Sequence, residues 1–314
     1  NMIHLTEAER ARLIPAEWEG NVAEETGGQY LAEIKMYARD QQGLLMSISK
    51  VFTEMEMDVK SLNIRTSKQG TATIEAGFIV HGREELAKVI GKLRQIDDVI
   101  DIEKAMKIEK FSLGILGANC YLLINEETKD TVVVDPGGHS KKFTAYIEEE
   151  KLNLVAILLT HGHFDHIMGI DSILENWNIP VYVEEEDLPI MTNPELNLSS
   201  SYTNGYSFDG AKPLKDGQKL ELAGETIEVI HTPGHTMGGC CYYLPVEHAV
   251  FSGDTLFQRS VGRTDFPNSS QDAIVRSVRE RLFALPDDTI VYPGHMGETK
   301  IEYEKLHNPY VQEG

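Results

Sequence analysis

The sequence predicts an α/β protein of two domains: a small βαββαβ ferredoxin-like unit, then a larger domain whose strands deliver polar side chains from their ends. Two patterns carry this. Residues 30–105 alternate between period-two and helical apolar spacing, in the order strand, helix, strand, strand, helix, strand. From Met106 onward one arrangement recurs: an apolar strand, a turn of small residues, then histidine or aspartate. A chain of 314 residues has the length for two domains and a sizeable core.

Residues 1–29 are expected to hold a helix and a linker. Thr6 to Leu13 has helical character, with Thr6 as N-cap, Glu9 three residues on and Pro15 as its stop. The polar, glycine-bearing stretch from Gly20 to Gly28 reads as the linker. In Tyr30–Arg39 the apolar residues Leu31, Ile34, Met36 and Ala38 mark a strand. Leu44–Met55 places Leu44, Ile48, Val51, Phe52 and Met55 at helical spacing. Val59–Thr66 and Thr71–Val80 alternate as two strands, joined by a hairpin turn at Lys68-Gln69-Gly70. Glu84–Leu93 reads as a helix and Val99–Ile102 as a short last strand.

At Asp40-Gln-Gln-Gly43-Leu-Leu this 30–105 unit resembles the ACT domain, above all the one that ends long stringent-response (p)ppGpp synthetase/hydrolases. The preceding Leu5-Thr-Glu-Ala-Glu-Arg-Ala-Arg-Leu-Ile-Pro-Ala-Glu-Trp is similar to the stretch before that domain. The catalytic domains of those enzymes have no counterpart in this sequence, so the resemblance implies a fold and a homodimer but no nucleotide chemistry. It also implies an amino-acid ligand near Gly43, against the simpler reading of a packing or dimerisation module without one.

Met106-Lys-Ile-Glu-Lys-Phe-Ser-Leu-Gly starts afresh, which puts the domain boundary at 105/106 and the second domain at 106–314. Strands are expected at Ile108–Leu113, Cys120–Asn125 and Thr131–Asp135, a turn at Asp135-Pro-Gly-Gly, and a helix at Phe143–Glu150. The strand Leu154–Thr160 then leads into the densest chemistry of the chain. His161, His163, Asp165 and His166 place four metal-ligand candidates between positions 161 and 166. Residues two apart in an extended loop point the same way, so His161 and His163 can share one ion. Asp165 and His166, with a helix expected from Ile167 onward, are offset toward a second. Three further candidates leave strands through glycine turns. His235 follows Glu225–His231, Asp254 follows His248–Ser252, and His295 follows Thr289–Tyr292.

Together these residues resemble the metallo-β-lactamase superfamily over essentially all of 106–314. Thr160-His-Gly-His-Phe-Asp-His, His231-Thr-Pro-Gly-His-Thr236, Ser252-Gly-Asp-Thr-Leu-Phe257, Gly262-Arg-Thr-Asp-Phe-Pro267 and Tyr292-Pro-Gly-His295 look like the short bacterial glyoxalase II-type hydrolases. The resemblance implies an αββα sandwich. It implies one metal on His161, His163 and His235, a second on Asp165, His166 and His295, and Asp254 bridging the two. Zinc is the first expectation for both ions, with iron or manganese as substitutes. The implied activity is thioester hydrolysis by a metal-bound hydroxide, which Asp165 orients as catalytic residue, on a small acyl thioester of the lactoylglutathione type. Metal coordination lowers the pKa of water from about 15.7 to near 7. A thiolate leaving group, of pKa about 8.5, needs no separate general acid.

The sequence departs from that family in two places. Met296-Gly-Glu-Thr-Lys follows His295 where the short enzymes usually carry Gly-Pro. Only 19 residues follow His295, so the C-terminal helical domain that binds glutathione in longer glyoxalase II enzymes is not expected. The rival readings are a mononuclear iron persulfide dioxygenase, a related family using the same cluster, and a hydrolase controlled by an amino acid at its ACT domain. A β-lactamase role is disfavoured by the likeness to the thioesterase branch.

Other residues are assigned plainer parts. His231 reads as a hydrogen-bonded turn residue, His139, His248 and His307 as structural or exposed, and Cys120, Cys240 and Cys241 as core. Arg263 and Asp265 are either a loop-bracing ion pair or a substrate contact. The long irregular stretch 184–216 is expected to be a lid, with Tyr206 and Phe208 meeting the acyl group. A net charge of −21 argues against nucleic acid and against an anionic membrane surface as partners. No apolar run approaches membrane-spanning length, and the first ten residues lack the apolar core of an export signal. Asn1 ahead of Met2 reads as a cloning remnant. Three cysteines, two of them adjacent, imply no disulfide framework and fit a reduced, cytoplasmic setting.

Overall fold

The computed structural model describes residues 17–18, 30–66, 70–81, 83–93, 95–96, 98–101, 106–126 and 128–311. The helix expected at Thr6–Leu13, the linker from Gly20 to Gly28 and the hairpin tip at Lys68 and Gln69 lie outside them. The chain divides into two units, one ending at Ala105 and one beginning at Met106.

In the first unit the strands are β1 (Glu17–Trp18), β2 (Tyr30–Arg39), β3 (Asp58–Thr66), β4 (Thr71–Val80) and β5 (Val99–Asp101), and the helices α1 (Leu44–Glu54) and α2 (Arg83–Leu93). The sheet order is β1-β2-β4-β3, with β5 also paired to β2, and every pairing is antiparallel. Side chains alternate across a strand, so Ala32, Ile34, Met36 and Ala38 of β2 share a face with Ala72, Ile74, Ala76 and Phe78 of β4. That face is buried together with Leu44, Ile48 and Phe52 of α1 and Val89, Ile90 and Leu93 of α2. Gly43, at the N-terminus of α1, takes φ of +104°, a conformation that glycine alone adopts without strain.

The second unit contains two six-stranded sheets among the described residues. One runs β11-β10-β9-β8-β7-β6, from β6 (Lys107–Leu113), β7 (Ala118–Ile124), β8 (Asp130–Val134), β9 (Asn153–Leu159), β10 (Val181–Glu184) and β11 (Lys212–Leu214). The other runs β12-β13-β14-β15-β18-β19, from β12 (Lys219–Leu222), β13 (Glu225–His231), β14 (Cys240–Leu244), β15 (Ala249–Gly253), β18 (Ile290–Pro293) and β19 (Thr299–Lys300). A two-stranded ribbon, β16 (Leu256–Phe257) and β17 (Ser260–Val261), follows β15.

The central strands of each sheet are buried on both faces, which is why they read as near-continuous hydrophobic runs. On β7, Tyr121 and Leu123 meet Ile227, Val229, Tyr242 and Phe251 of the other sheet. The alternate residues Cys120, Leu122 and Ile124 pack under helices α3 (Lys141–Glu149), α4 (Phe164–Ile167) and α5 (Ile170–Leu174). On β14, Cys241 and Tyr243 turn away from the sandwich centre toward Ile274 of α8 (Gln271–Arg276) and Val278 and Leu282 of the π-turn that continues it. The layers are thus α, β, β, α, as the resemblance implied.

Two local expectations are corrected. The helix expected from Ile167 begins at Phe164, because extended His163 already caps it and the His166 amide bonds back to the His163 carbonyl at 3.0 Å. Asp165 and His166 are therefore helical rather than in a loop. Residues 184–216 are not irregular throughout. They contain a 3₁₀ turn (Glu185–Asp187), α6 (Leu188–Met191), α7 (Ser199–Tyr202) and β11. Buried Asn197 braces them, donating to the Tyr206 carbonyl at 2.8 Å and accepting from the Ser199 amide at 2.9 Å.

Candidate metal centre

Seven side chains converge where β9, β13, β15 and β18 end. His161, His163 and His235 form one triad of ligand atoms lying within 4.8 Å of each other, and Asp165, His166 and His295 form a second. Asp254 stands between them. Its Oδ2 is 3.5 Å from His235 Nε2 and 3.7 Å from His295 Nε2, and its Oδ1 is 3.5 Å from His166 Nε2. The structure therefore brings together every residue that the sequence reading assigned to metal.

Two glycines permit the approach. A Cβ on Gly253 would overlap the Thr160 side chain, and one on Gly294 would overlap the Asp254 carboxylate and the His166 ring. The two turns dock directly, with the Gly294 amide donating to the Gly253 carbonyl at 2.8 Å.

Hydrogen bonds fix which ring nitrogens face the centre. Asp135 accepts from His166 Nδ1 at 2.9 Å, so His166 presents Nε2. The Thr160 hydroxyl spends its proton on Asp135 at 2.6 Å and so accepts from His161 Nδ1 at 3.1 Å, which leaves His161 Nε2 facing inward. The Arg263 carbonyl accepts from His235 Nδ1 at 2.8 Å, with the same result. His161 Nε2, His166 Nε2 and Asp254 Oδ1 are buried and have no hydrogen-bond partner. Buried polar atoms are normally paired, so this set of nitrogen and oxygen donors fits a divalent cation.

The electrostatics agree for the three-histidine triad and differ at the second. Burial, reinforced by the neighbouring histidines, holds His161 well below the ordinary imidazole range, and burial with His235 does the same for His163, so both are neutral and ready to ligate. Burial alone would lower His166 too, but Asp165, Asp135 and Asp254 overcome it and raise that ring to about 10, so it carries a proton that a bound cation would displace. Burial likewise opposes ionisation of Asp165, but His166 and His295 hold its carboxyl below the usual range.

Three supporting residues escaped the sequence reading. Asp135, taken there only as a turn residue, orients His166 and also accepts from the Thr160 amide at 2.8 Å. Asp187 is fully buried and accepts from the Gly162 amide, the Thr236 hydroxyl and the Gly238 amide. Asn119 on β7 donates to the carbonyls of Pro293 at 2.8 Å and Met296 at 3.0 Å, clamping the turn that bears His295.

A cleft of about 330 Å³ opens over the centre, lined by His163, Asp165, His235, Asp254 and His295 and by mostly apolar walls. Arg263 lines it, paired to Asp265 through Nε at 3.0 Å and its terminal nitrogen at 2.8 Å. Tyr206 and Phe208 do not line it; they pack on the core beneath α3 to α5, and Tyr202 and Leu198 take the cleft wall instead. Gly43 lies in the first unit. The cysteines are all buried, and burial pushes their thiols up, as expected of core residues. His231 bonds the Met237 carbonyl at 2.8 Å, in keeping with a structural turn residue.

The sequence model of the Metallo-beta-lactamase superfamily matches residues 113–295, and that of the ACT domain residues 26–103. The chain is 37% identical over 210 residues to a probable metallo-hydrolase, YqgX, of Bacillus subtilis, covering 66% of this chain and 98% of that one. It is 33% identical over 209 residues to the hydroxyacylglutathione hydrolase GloC of Haemophilus influenzae, covering 66% and 98%. Among solved structures it is similar to the BLEG-1 B3 metallo-beta-lactamase, at 36% identity and a TM-score of 0.63, covering 66% of this chain and 100% of that one. It is also similar to TTHA1623 in a di-iron-bound form, at 36% identity and a TM-score of 0.57, covering 64% and 99%. No helix among the described residues is long and apolar enough to cross a membrane.

Proposed function

This chain belongs to the metallo-beta-lactamase superfamily and carries an ACT domain ahead of that fold, and from that premise we propose that it is a dinuclear metal-dependent hydrolase of acyl thioesters. The observation that carries the reading is the pair of ligand triads facing each other across Asp254. His161, His163 and His235 would hold one divalent ion, Asp165, His166 and His295 the other, with Asp254 shared. Zinc is our first choice, and the di-iron form of TTHA1623 makes iron the second. Ions held there supply Lewis acidity and bring the pKa of water from about 15.7 to near 7.

The chain's own residues do the rest. Asp135, Thr160 and the Arg263 carbonyl hold three imidazoles in the ligating tautomer, so no reorganisation is needed when substrate arrives. Asp165, kept ionised beside His166 and His295, is the acceptor that orients the attacking water. A C–O bond forms at the thioester carbonyl and the C–S bond breaks. The sulfur leaves with the bonding electron pair as a thiolate, which needs little protonation at neutral pH. The likeness to a hydroxyacylglutathione hydrolase supports the thioester.

Elemental analysis of the purified protein, run beside a thioester hydrolysis screen, tests this. Two divalent ions per chain with thioester turnover is the expected result. One iron per chain with oxygen uptake on a persulfide would replace it with the dioxygenase reading. For the ACT unit we propose an amino-acid ligand at the Gly43 turn that tunes the hydrolase. Calorimetry with the twenty amino acids checks this, and absence of both binding and rate change removes it.

A further inference from the structure

We infer that the cleft selects a short apolar acyl group carried on an uncharged thiol, rather than a hydroxyacyl group on a carboxylate-bearing thiol; the inference rests on the thioesterase reading. The walls are the first ground. Leu116, Leu198, Phe257, Val261, Phe266 and Met296 line the cleft. Their rings reach the ligands themselves. Phe266 lies 5.4 Å from the His163 ring and 5.7 Å from His235, and Phe257 lies 6.3 Å from His295. Apolar surface thus brackets both halves of the centre, where the acyl group must sit.

The second ground is how the polar lining groups are engaged. Arg263 is the cation of the lining, and it is already bound two-fold by Asp265 and stacked 4.5 Å over Phe266. A substrate carboxylate that approaches Arg263 meets the Asp265 charge as well. The Ser260 hydroxyl is turned to the Val261 carbonyl, at 3.4 Å. A substrate hydroxyl seated deep in the cleft, between Phe257, Val261 and Phe266, would give up its water without gaining a partner from those walls, and the phenol of the lining, Tyr202, is half exposed.

The third ground is the rim. Leu116, Tyr202 and Met296 are 46%, 51% and 62% exposed and stand at the cleft. Met296 is fixed there by its left-handed backbone, φ of +68°, and by the Asn119 clamp. Burying such groups against an alkyl chain is favourable, whereas a peptide-like carrier would leave them wet. The volume is at the lower end of small-molecule clefts, which fits a short chain.

The test is kcat/KM of the metal-loaded protein on thioesters of N-acetylcysteamine (acetyl, butanoyl, hexanoyl and 2-hydroxybutanoyl) and on butanoyl- and lactoylglutathione. Each added methylene should raise kcat/KM about four-fold until the cleft is filled. The 2-hydroxyl and the glutathione carrier should each lower it several-fold. Met296→Ser should flatten the chain-length slope, and Asp265→Asn should shift preference toward the glutathione esters by freeing Arg263. A flat chain-length series, or lactoylglutathione matching the hexanoyl ester, overturns the inference while leaving thioester hydrolysis standing. No turnover of any thioester overturns both.

Discussion

The carboxylate of Asp187 accepts the Gly162 amide proton at 2.7 Å, and so anchors the loop that carries His161 and His163. The same carboxylate takes the Thr236 hydroxyl at 2.9 Å and the Gly238 amide at 2.7 Å, both on the loop that carries His235. One buried side chain therefore sets the spacing of the three-histidine triad. Asp187→Ala strands three buried donors, each costing about 1–3 kcal/mol when unmet. After partial relaxation the expected loss is about 3 kcal/mol, a fall in Tm of about 10 °C by calorimetry. Metal content should fall with it. A variant as stable as wild type would mean that the loops are held some other way.

The same residue gives a pH signature. Burial pushes the Asp187 carboxyl up to about 6, against the pull of its three donors. Its folded pKa then exceeds its unfolded value, so the folded chain binds that proton more tightly. The stability this contributes is complete below about pH 4 and is lost as pH rises through 6. Asp187→Asn carries no such proton. Relative to that variant, wild type should lose about 3 kcal/mol between those limits. Paired melting curves across the window check it, and a constant difference would return Asp187 to the ordinary carboxyl range.

Asp135→Ala removes the acceptor that holds His166 Nδ1 and frees that ring to turn. Loss of such an orienting carboxylate lowers metal affinity about 10- to 100-fold. Asp135 also takes the proton of the Thr160 hydroxyl that accepts from His161 Nδ1, so competition with a chromogenic chelator should show both ions released earlier than from wild type. Release at the wild-type rate would mean that the two rings are held without Asp135.

What the sequence could disclose follows from distance along the chain. His161, His163, Asp165 and His166 were legible because their spacing is local, and Glu225–His231 because a seven-residue apolar alternation specifies a strand. Asp187 was not, since one aspartate in an acidic run carries no mark of partners at positions 162, 236 and 238. Asp135 left a usable trace. It leaves an apolar strand into a glycine turn, the same signature that exposed Asp254. Tyr206 and Phe208 misled because aromatic content in a long loop says nothing about which way the rings point.

Gly294→Ala tests the close approach without replacing a ligand. The added methyl would overlap the Asp254 carboxylate and the His166 ring, so either the Pro293–His295 turn or Asp254 must shift. Metal stoichiometry should fall below wild type, and turnover should drop about 100-fold, the scale of an ångström-level misplacement at a reacting centre. Full metal content with full turnover would show that the turn has room to spare.

The two aromatic sets of the 184–216 segment should separate cleanly. Phe208 packs on the core and its backbone amide bonds the Met191 carbonyl at 3.0 Å, so Phe208→Ala should cost about 2–3 kcal/mol of stability and leave KM unchanged. Tyr202 stacks on Phe164 at 4.8 Å and lines the cleft, half exposed. Tyr202→Ala should cost about 1 kcal/mol, a few degrees of Tm, through the lost stack on Phe164, and raise KM for an apolar thioester several-fold. Chemical melts and saturation kinetics on the same preparations read both effects. If Phe208→Ala moved KM while Tyr202→Ala did not, the lid would contact substrate through the core-facing ring after all.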